Sequence, residues 1–531
     1  MKKRKGLPSI GELLIISAAV IIMIAVCAVF VIGIGGSEDE PEPVSTDAGA
    51  DISGADISGV ILKGISTGIS TKIPTGLSPG QPDDINNPSS TGYETVQDPQ
   101  EPSRPVPDPQ RDAISVISIE EYDPSLFADL NTESASHGSM AVGFVIYDGY
   151  SGTFYTYEYG FSSKEDNRRA NTNTKYRVAS LSKLVTMVCA MALVDRNLLD
   201  LDEDISVYLG YTARSPAHRD VPITSRMLMQ HTSTVFDSQS FENSILRSVN
   251  RHTSTKDLLA QRGTYSGKEP GTAYHYTNFG YSILGAVIEH ITGKKLDDVA
   301  DEFLFSPLDI DAAFVPGRIN DKNNVAAMYN SNHAVTRSID RQLTNVSSRG
   351  IGEDQHLAQG GLVISALDYA KILAMLGNGG MYLSDRILSE DSVSQIHNAD
   401  VSAPEHKQGL ATRFTGGGSS SNLQAGEDDL PLWRREGFTD YVTWQYNRKN
   451  DIFVPSDGFY WHTGTGYGVF AQYLYMATEG TDKGISSQFS SRGTVAITTG
   501  AWSSRETNGI IGICSHLSSI AWLSLGFDEL G

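Results

Sequence analysis

Tyr176-Arg177-Val178-Ala179-Ser180-Leu181-Ser182-Lys183 places a serine and a lysine three residues apart, at the start of an apolar stripe formed by Leu181, Leu184, Val188 and Met191. The stripe has helical spacing, so Ser180 and Lys183 share one face of a helix. A serine hydroxyl is a weak nucleophile and attacks a carbonyl only when a neighbouring base takes its proton. At a helix N-terminus, unpaired backbone N–H groups and the positive end of the dipole favour the negative charge that develops in such an attack. A lysine held there partly out of water gives up its proton more readily and can serve as that base. The spacing alone is weak evidence. Ser-x-x-Lys arises by chance in a chain of 531 residues, and the same stretch also reads as a helix cap followed by a surface lysine.

Two further stretches change the balance. Tyr276-Thr277-Asn278 is followed by Phe279-Gly280-Tyr281-Ser282-Ile283-Leu284-Gly285, then Glu289 and Thr292-Gly293. His462-Thr463-Gly464 is followed by Thr465-Gly466. In this order the three resemble the Ser-x-x-Lys, Tyr-x-Asn and Lys-Thr-Gly or His-x-Gly motifs of the penicillin-recognising serine hydrolases, the superfamily of class C β-lactamases, D,D-peptidases and related esterases. Gln230-His231-Thr232-Ser233 and Gly360-Gly361-Leu362 add to a likeness that spans roughly residues 135–525. The resemblance implies a β-lactamase/transpeptidase-like α+β fold: a central antiparallel sheet flanked by helices, with an all-helical subdomain. It also implies roles. Ser180 attacks and forms an acyl-enzyme, and Lys183 and Tyr276 carry its proton. Backbone N–H groups of Ser180 and Thr465 match the oxyanion hole. Asn278, His462, Thr463 and Gly464 complete the substrate side. Which of Lys183 and Tyr276 takes the first proton belongs to the coupled pair. No cofactor is implied.

Two departures bear on substrate. His462 stands where many relatives carry lysine, and an unperturbed histidine is mostly neutral at pH 7. That weakens the fit to a substrate carboxylate and to efficient β-lactam turnover, and favours ester or amide substrates. Thr234 stands where the family often has glycine, which predicts an altered loop. His231 reads as structural.

Outward from the motifs, Met140 to Tyr147 and Thr153 to Tyr159 read as strands joined at Asp148-Gly149. Ser365 with Asp368 is a capping-box pattern before a helix through Leu376, ended at Gly377 to Gly380. Phe459 to Thr463, Val469 to Met476 and Thr494 to Thr499 are late strands, and a helix runs from about Gly509 to Leu525. Gly464-Thr465-Gly466-Tyr467-Gly468 reads as a strand-end turn. These elements suggest one antiparallel sheet closed by both chain ends, in a domain from 114 to 531 with an insertion at about Thr412 to Pro455.

The N-terminal part differs. Lys2, Lys3, Arg4 and Lys5 precede an apolar run from Leu13 to Ile34, long enough to span a bilayer as a helix. No Ala-x-Ala cut site follows, so the expectation is an uncleaved anchor: residues 1–12 cytoplasmic, 13–34 transmembrane, and the rest outside the cell. Residues 37–113 carry 11 of the 21 prolines and 14 acidic against 4 basic residues. Such a segment buries too little apolar surface to offset its ordering entropy and reads as a disordered tether with a reach of roughly 50 Å.

Composition excludes several classes. A net charge of −22 without a visible basic face disfavours nucleic acid. There is no Gly-x-Ser-x-Gly elbow and no His-Glu-x-x-His, and the scattered histidines lack zinc spacing, so no metal site is expected. Three cysteines are too few for a disulfide framework, and Cys189 and Cys514 read as buried thiols, with a single bridge between them the alternative. The leading expectation is a membrane-anchored extracellular serine hydrolase acting on peptidoglycan peptides or small esters and amides. The alternatives are a class C-type β-lactamase and a catalytically silent domain that binds wall peptides.

Overall fold

The computed structural model describes residues 114–149, 152–246, 253–344, 349–403, 407–415, 459–476, 491–501 and 512–525. The expected anchor, the tether and nearly all of the expected insertion lie outside these residues. Among the described residues, no helix is long and apolar enough to cross a membrane.

The strands that organise the molecule come from both ends of the described chain. In sequence order they are β1 (Ser115–Ser118), β2 (Ala141–Asp148), β3 (Thr153–Ser163), β4 (Val401–Ser402), β5 (Lys407–Gln408), β6 (Arg413–Thr415), β7 (Phe459–Gly466), β8 (Val469–Met476) and β9 (Arg492–Thr499). They join one sheet in the order β1-β3-β2-β9-β8-β7-β6-β5-β4. The pairing of β2 with β9 (Val145 opposite Val495) is what brings the early and late strands together. Two expectations are corrected here. The sheet is mixed: β1 runs parallel to β3, Ser115 opposite Thr153, with β3 lying between β1 and β2. Arg413–Thr415 is not part of an insertion. It is a strand paired with β7, Arg413 opposite Trp461.

Alternation along the strands divides the core in two. Ala141, Val145, Tyr147, Tyr473, Val495 and Ile497 face the helices α2 (Ser182–Asp195) and α4 (Ala366–Gly377). Val142, Phe144, Ile146, Phe470, Leu474 and Ala496 face α1 (Pro124–Ser136) and α5 (Gly512–Ser524). Cys189 and Cys514 are free thiols, each buried in a different one of these cores. α4 is capped as expected, with Ser365 Oγ accepting from the Asp368 N–H at 3.0 Å. α2 departs from the expected stripe: every residue from Ser182 to Leu193 is buried, so the helix is core on all faces. Between α2 and α4 most of the regular elements are helices, α3 (Asn278–Thr292) the longest. Not all are, since Met328–Tyr329 and Val335–Arg337 form a small hairpin.

Candidate active site

Ser180 sits in a 3₁₀ turn, Ala179–Leu181, that leads directly into α2. Ala179 is held at φ +47°, a left-handed conformation that costs a non-glycine residue about 1–2 kcal/mol. The turn is clamped from behind. Ser182 Oγ donates to the Ala179 carbonyl at 2.6 Å and accepts from the Leu362 N–H at 3.0 Å. The Leu362 carbonyl in turn accepts from the Val178 N–H at 3.0 Å, which gives the Gly360-Gly361-Leu362 segment its place. Strand β7 presses on the same turn. A Cβ on Gly464 would stand 2.3 Å from the Val178 carbonyl oxygen and 3.1 Å from the Ser180 nitrogen, so only glycine permits this approach.

The first two motifs meet at one oxygen, and the third lines the same cleft. Lys183 Nζ lies 3.2 Å from Ser180 Oγ, and Tyr276 Oη lies 3.1 Å from it. Lys183 is fully buried and spends its other two directions on Asn278 Oδ1 at 2.9 Å and the Gln359 carbonyl at 2.8 Å. Its ammonium position is also 5.2 Å from the centre of the Tyr276 ring.

Asn278 is oriented by a residue absent from the sequence expectation. Asp237 accepts from Thr277 Oγ1 at 2.7 Å, from the Asn278 N–H at 2.8 Å, from Asn278 Nδ2 at 2.9 Å and from the Phe279 N–H at 2.8 Å. One carboxylate therefore caps α3 and fixes which way the Asn278 amide points, so that its oxygen meets Lys183. His231 is structural as expected: its Nδ1 accepts from the Thr277 N–H, and its ring packs 4.5 Å from that of Tyr276. Thr234 adopts φ +65°, so the left-handed turn that glycine would make is kept in spite of the threonine.

A cleft of about 380 Å³ opens above Ser180, lined by Arg177, Tyr276, Asn278, Arg413, His462, Thr463, Thr465 and Tyr467 among others. Thr465 is exposed at its rim, and Gly464 faces the nucleophile turn instead of the cleft. Beyond Gly466 the strand turns through Tyr467 and Gly468, at φ +56° and +85°, as expected of a strand-end turn. His462 is buried, and burial holds its pKa well below the ordinary histidine value; the neighbouring Arg413 and Lys183 push the same way. It is neutral at physiological pH, and its Nδ1 lies 2.7 Å from the Thr463 carbonyl. Arg413, on the strand next to β7, packs its guanidinium 4.9 Å from the Trp461 ring and 5.8 Å from the Tyr276 ring. Its buried Nε has no hydrogen-bond partner among the described residues. Arg177 lies deeper. It donates to the Gly360 carbonyl at 3.0 Å and to His356 Nε2, and burial draws His356 down to about 3, so this imidazole stays a neutral acceptor.

Comparison with known proteins agrees with this geometry. The family model described as Beta-lactamase matches residues 132–499. A lovastatin esterase of Penicillium rubens is 28% identical over 317 residues, 52% of this chain and 77% of that protein. The D-alanyl-D-alanine-carboxypeptidase/endopeptidase AmpH of Escherichia coli is 25% identical over 205 residues, 36% of this chain and 51% of AmpH, so the chain spans about half of that relative. Among solved structures, a class C beta-lactamase superposes with a TM-score of 0.53 at 16% identity, covering 76% of this chain and 97% of the other. The octameric penicillin-binding protein homologue from Pyrococcus abyssi gives the same TM-score at 17% identity, covering 76% and 77%. At those identities the two structures speak for the fold alone, a β-lactamase/transpeptidase-like mixed sheet flanked by helices. With its family match covering more than half of the sequence and a serine, a lysine and a tyrosine converging at one point, the chain belongs to the Beta-lactamase family of serine hydrolases.

Proposed function

We propose that this protein is a cell-surface acyl-enzyme hydrolase of carboxypeptidase type, acting on peptides whose scissile bond lies next to a free carboxylate. The observation that carries the reading is the convergence of Lys183 Nζ and Tyr276 Oη on Ser180 Oγ, at 3.2 and 3.1 Å, in a cleft that Arg413 also lines. In this reading Ser180 Oγ adds to the carbonyl, its proton passes to the Lys183–Tyr276 pair, and the pair returns a proton to the departing amine. Water then attacks the acyl-enzyme, using the same pair in reverse. Both groups stand as donors to Ser180 Oγ, so attack requires that one of them has already lost its proton. They act as a coupled unit.

Arg413 supports the substrate class. His462 supplies no charge, whereas the lysine of many relatives would. The guanidinium one strand away has the fixed charge and forked geometry that suit a carboxylate. The Arg413 side chain lines the same cleft as Ser180. The location rests on the sequence: residues 13–34 serve as an anchor, and 37–113 as a tether that lets the domain reach the wall.

The test is a substrate panel on the protein and its Ser180→Ala, Arg413→Gln variants: D-Ala-D-Ala peptides, their C-terminal amides, p-nitrophenyl esters and nitrocefin. Losing one charge-assisted contact of about 2–3 kcal/mol should lower kcat/KM of Arg413→Gln on the free acid by roughly 30–150-fold. Amide and ester turnover should change little. An equal loss on all substrates, or none, overturns the carboxylate reading. Nitrocefin turnover that outruns the peptides identifies a class C-type β-lactamase instead, and labelling by a fluorescent penicillin that persists in Ser180→Ala removes the acyl-enzyme.

A further inference from the structure

On the sheet face away from α2, the first and last helices of the domain pack together through Leu126, Leu130, Cys514 and Leu517. At the solvent edge of this packing three side chains converge. Glu133 and His137 are four residues apart at the end of α1, and His516 projects from α5. His516 Nδ1 is 2.5 Å from Glu133 Oε1, and His137 Nδ1 is 3.3 Å from the same oxygen. The two imidazole rings meet edge to face with centres 5.3 Å apart. One ligand atom from each of the three lies within 4.8 Å of the others, and among the described residues this is the only group of three such side chains so arranged.

We propose that Glu133, His137 and His516 form a binding site for one divalent cation of zinc type, which staples the two terminal helices of the domain together. The donor set, two imidazoles and one carboxylate, is one that zinc takes with an open fourth position for water. A tetrahedral zinc with ligands at about 2.1 Å needs them about 3.4 Å apart, so rotations of about 1 Å close the site from the geometry present. A carboxylate oxygen only accepts. In the metal-free chain each imidazole nitrogen facing it must therefore carry the proton, and on metal binding that proton moves to the other ring nitrogen without net release. His137 Nδ1 also lies 3.1 Å from the Glu133 carbonyl and 3.2 Å from Ser136 Oγ, bonds the metal must displace. The three side chains are each about one-fifth exposed, enough for a cation to enter from solvent and keep a water. Because Glu133 and His516 are 383 residues apart, the staple would close nearly the whole domain into a loop, and closing long loops removes the most entropy from the unfolded chain. The sequence reading expected no metal because it sought ligands at local spacing, and this set draws on both ends of the domain.

The experiment uses the full chain, stripped with EDTA, dialysed, and titrated with ZnCl2 by calorimetry, with bound zinc counted by mass spectrometry and melting followed with and without metal. The expected result is one zinc per chain and a rise in Tm that EDTA reverses. His516→Ala and His137→Gln should each weaken binding by at least about 100-fold, the upper end of what loss of a mere outer-shell partner costs, and abolish the Tm rise. His137 lies at the helix end, where glutamine keeps the fold, and covalent labelling of Ser180 on the opposite face checks that each variant is folded. Absence of bound zinc, or binding in either variant as tight as in the parent protein, overturns the site.

Discussion

Replacing Asp237 with asparagine keeps the shape of the side chain and removes one acceptor and the charge. The carboxylate receives four donor groups, and the bonds run from 2.7 to 2.9 Å. An asparagine that keeps Thr277 Oγ1 and the Asn278 and Phe279 N–H groups on its oxygen must aim its NH₂ at Asn278 Nδ2, donor against donor. That bond is lost at about 1–2 kcal/mol, and the three survivors fall from charge-assisted to neutral at about 1 kcal/mol each. The charge at the N-terminus of α3 contributes a further 0.5–1 kcal/mol or so. These terms share one group and do not add fully, so the expected loss of stability is about 3 kcal/mol. Activity should fall as well, because the freed Asn278 amide no longer fixes its oxygen 2.9 Å from Lys183 Nζ. A displacement of about 1 Å at a reacting group costs up to about 100-fold, so acylation should slow by 10- to 100-fold. Urea melts and the rate of labelling by a fluorescent penicillin measure the two effects separately. A variant with lowered stability and normal acylation would reduce Asp237 to a helix cap, and one with neither effect would refute the reasoning outright.

Three other outcomes follow from the same geometry. Lys183→Ala should abolish acylation, and Tyr276→Phe should slow it by about 10²–10⁴, the range for a lost proton carrier; near-normal labelling in either variant would show that the proton travels elsewhere. Gly464→Ala drives a Cβ to 2.3 Å from the Val178 carbonyl, which should cost about 1–3 kcal/mol and disturb the Ser180 turn, and an unchanged melt and acylation rate would show that β7 does not bear on it. His462 is held neutral in the folded chain and protonates freely when unfolded, so its contribution is present above pH 6.5 and is lost as pH falls below it. The stability of the protein relative to His462→Gln should therefore drop by about 1 kcal/mol between pH 7 and pH 5.5, whereas a constant difference in urea melts would mean that the imidazole is accessible to protons.

Local patterns were legible where one short stretch carried the whole signal. Val469–Met476 matches the expected strand from end to end, because a nearly unbroken apolar run rich in aromatics after a glycine-rich turn needs no distant partner to be read. The cap at Ser365 was legible for the same reason. What could not be read depended on partners far away in sequence. Within α2 only the most apolar stripe stands out in the sequence, and burial of its remaining faces is decided by α3 and by Leu357–Gly360 and Leu296–Ala300 packed against it. β1 pairs in parallel with β3 at the edge of the sheet, a partner that no pattern within Ser115–Ser118 records. Asp237 belongs to no helix or strand, and it becomes a functional candidate only once α3 delivers four donors to it.

The charge around the site depends on distant partners in the same way. In the sequence, His462 weakens the fit to a substrate carboxylate, and its strand alone offers no other cation. In the folded protein the charge of a site belongs to the sheet. Arg413 lies opposite Trp461, beside His462, and is hidden in the sequence because its strand is three residues long and stands at the edge of a stretch without clear pattern. The two residues are also coupled: the guanidinium that would meet an anion is one of the charges that keep the histidine neutral. Replacing His462 with lysine to restore the commoner motif would set a second cation beside Arg413 and Lys183 in a buried site. Such a variant should bind a carboxylate no better and should be less stable, because each added like charge raises the cost of burying the others.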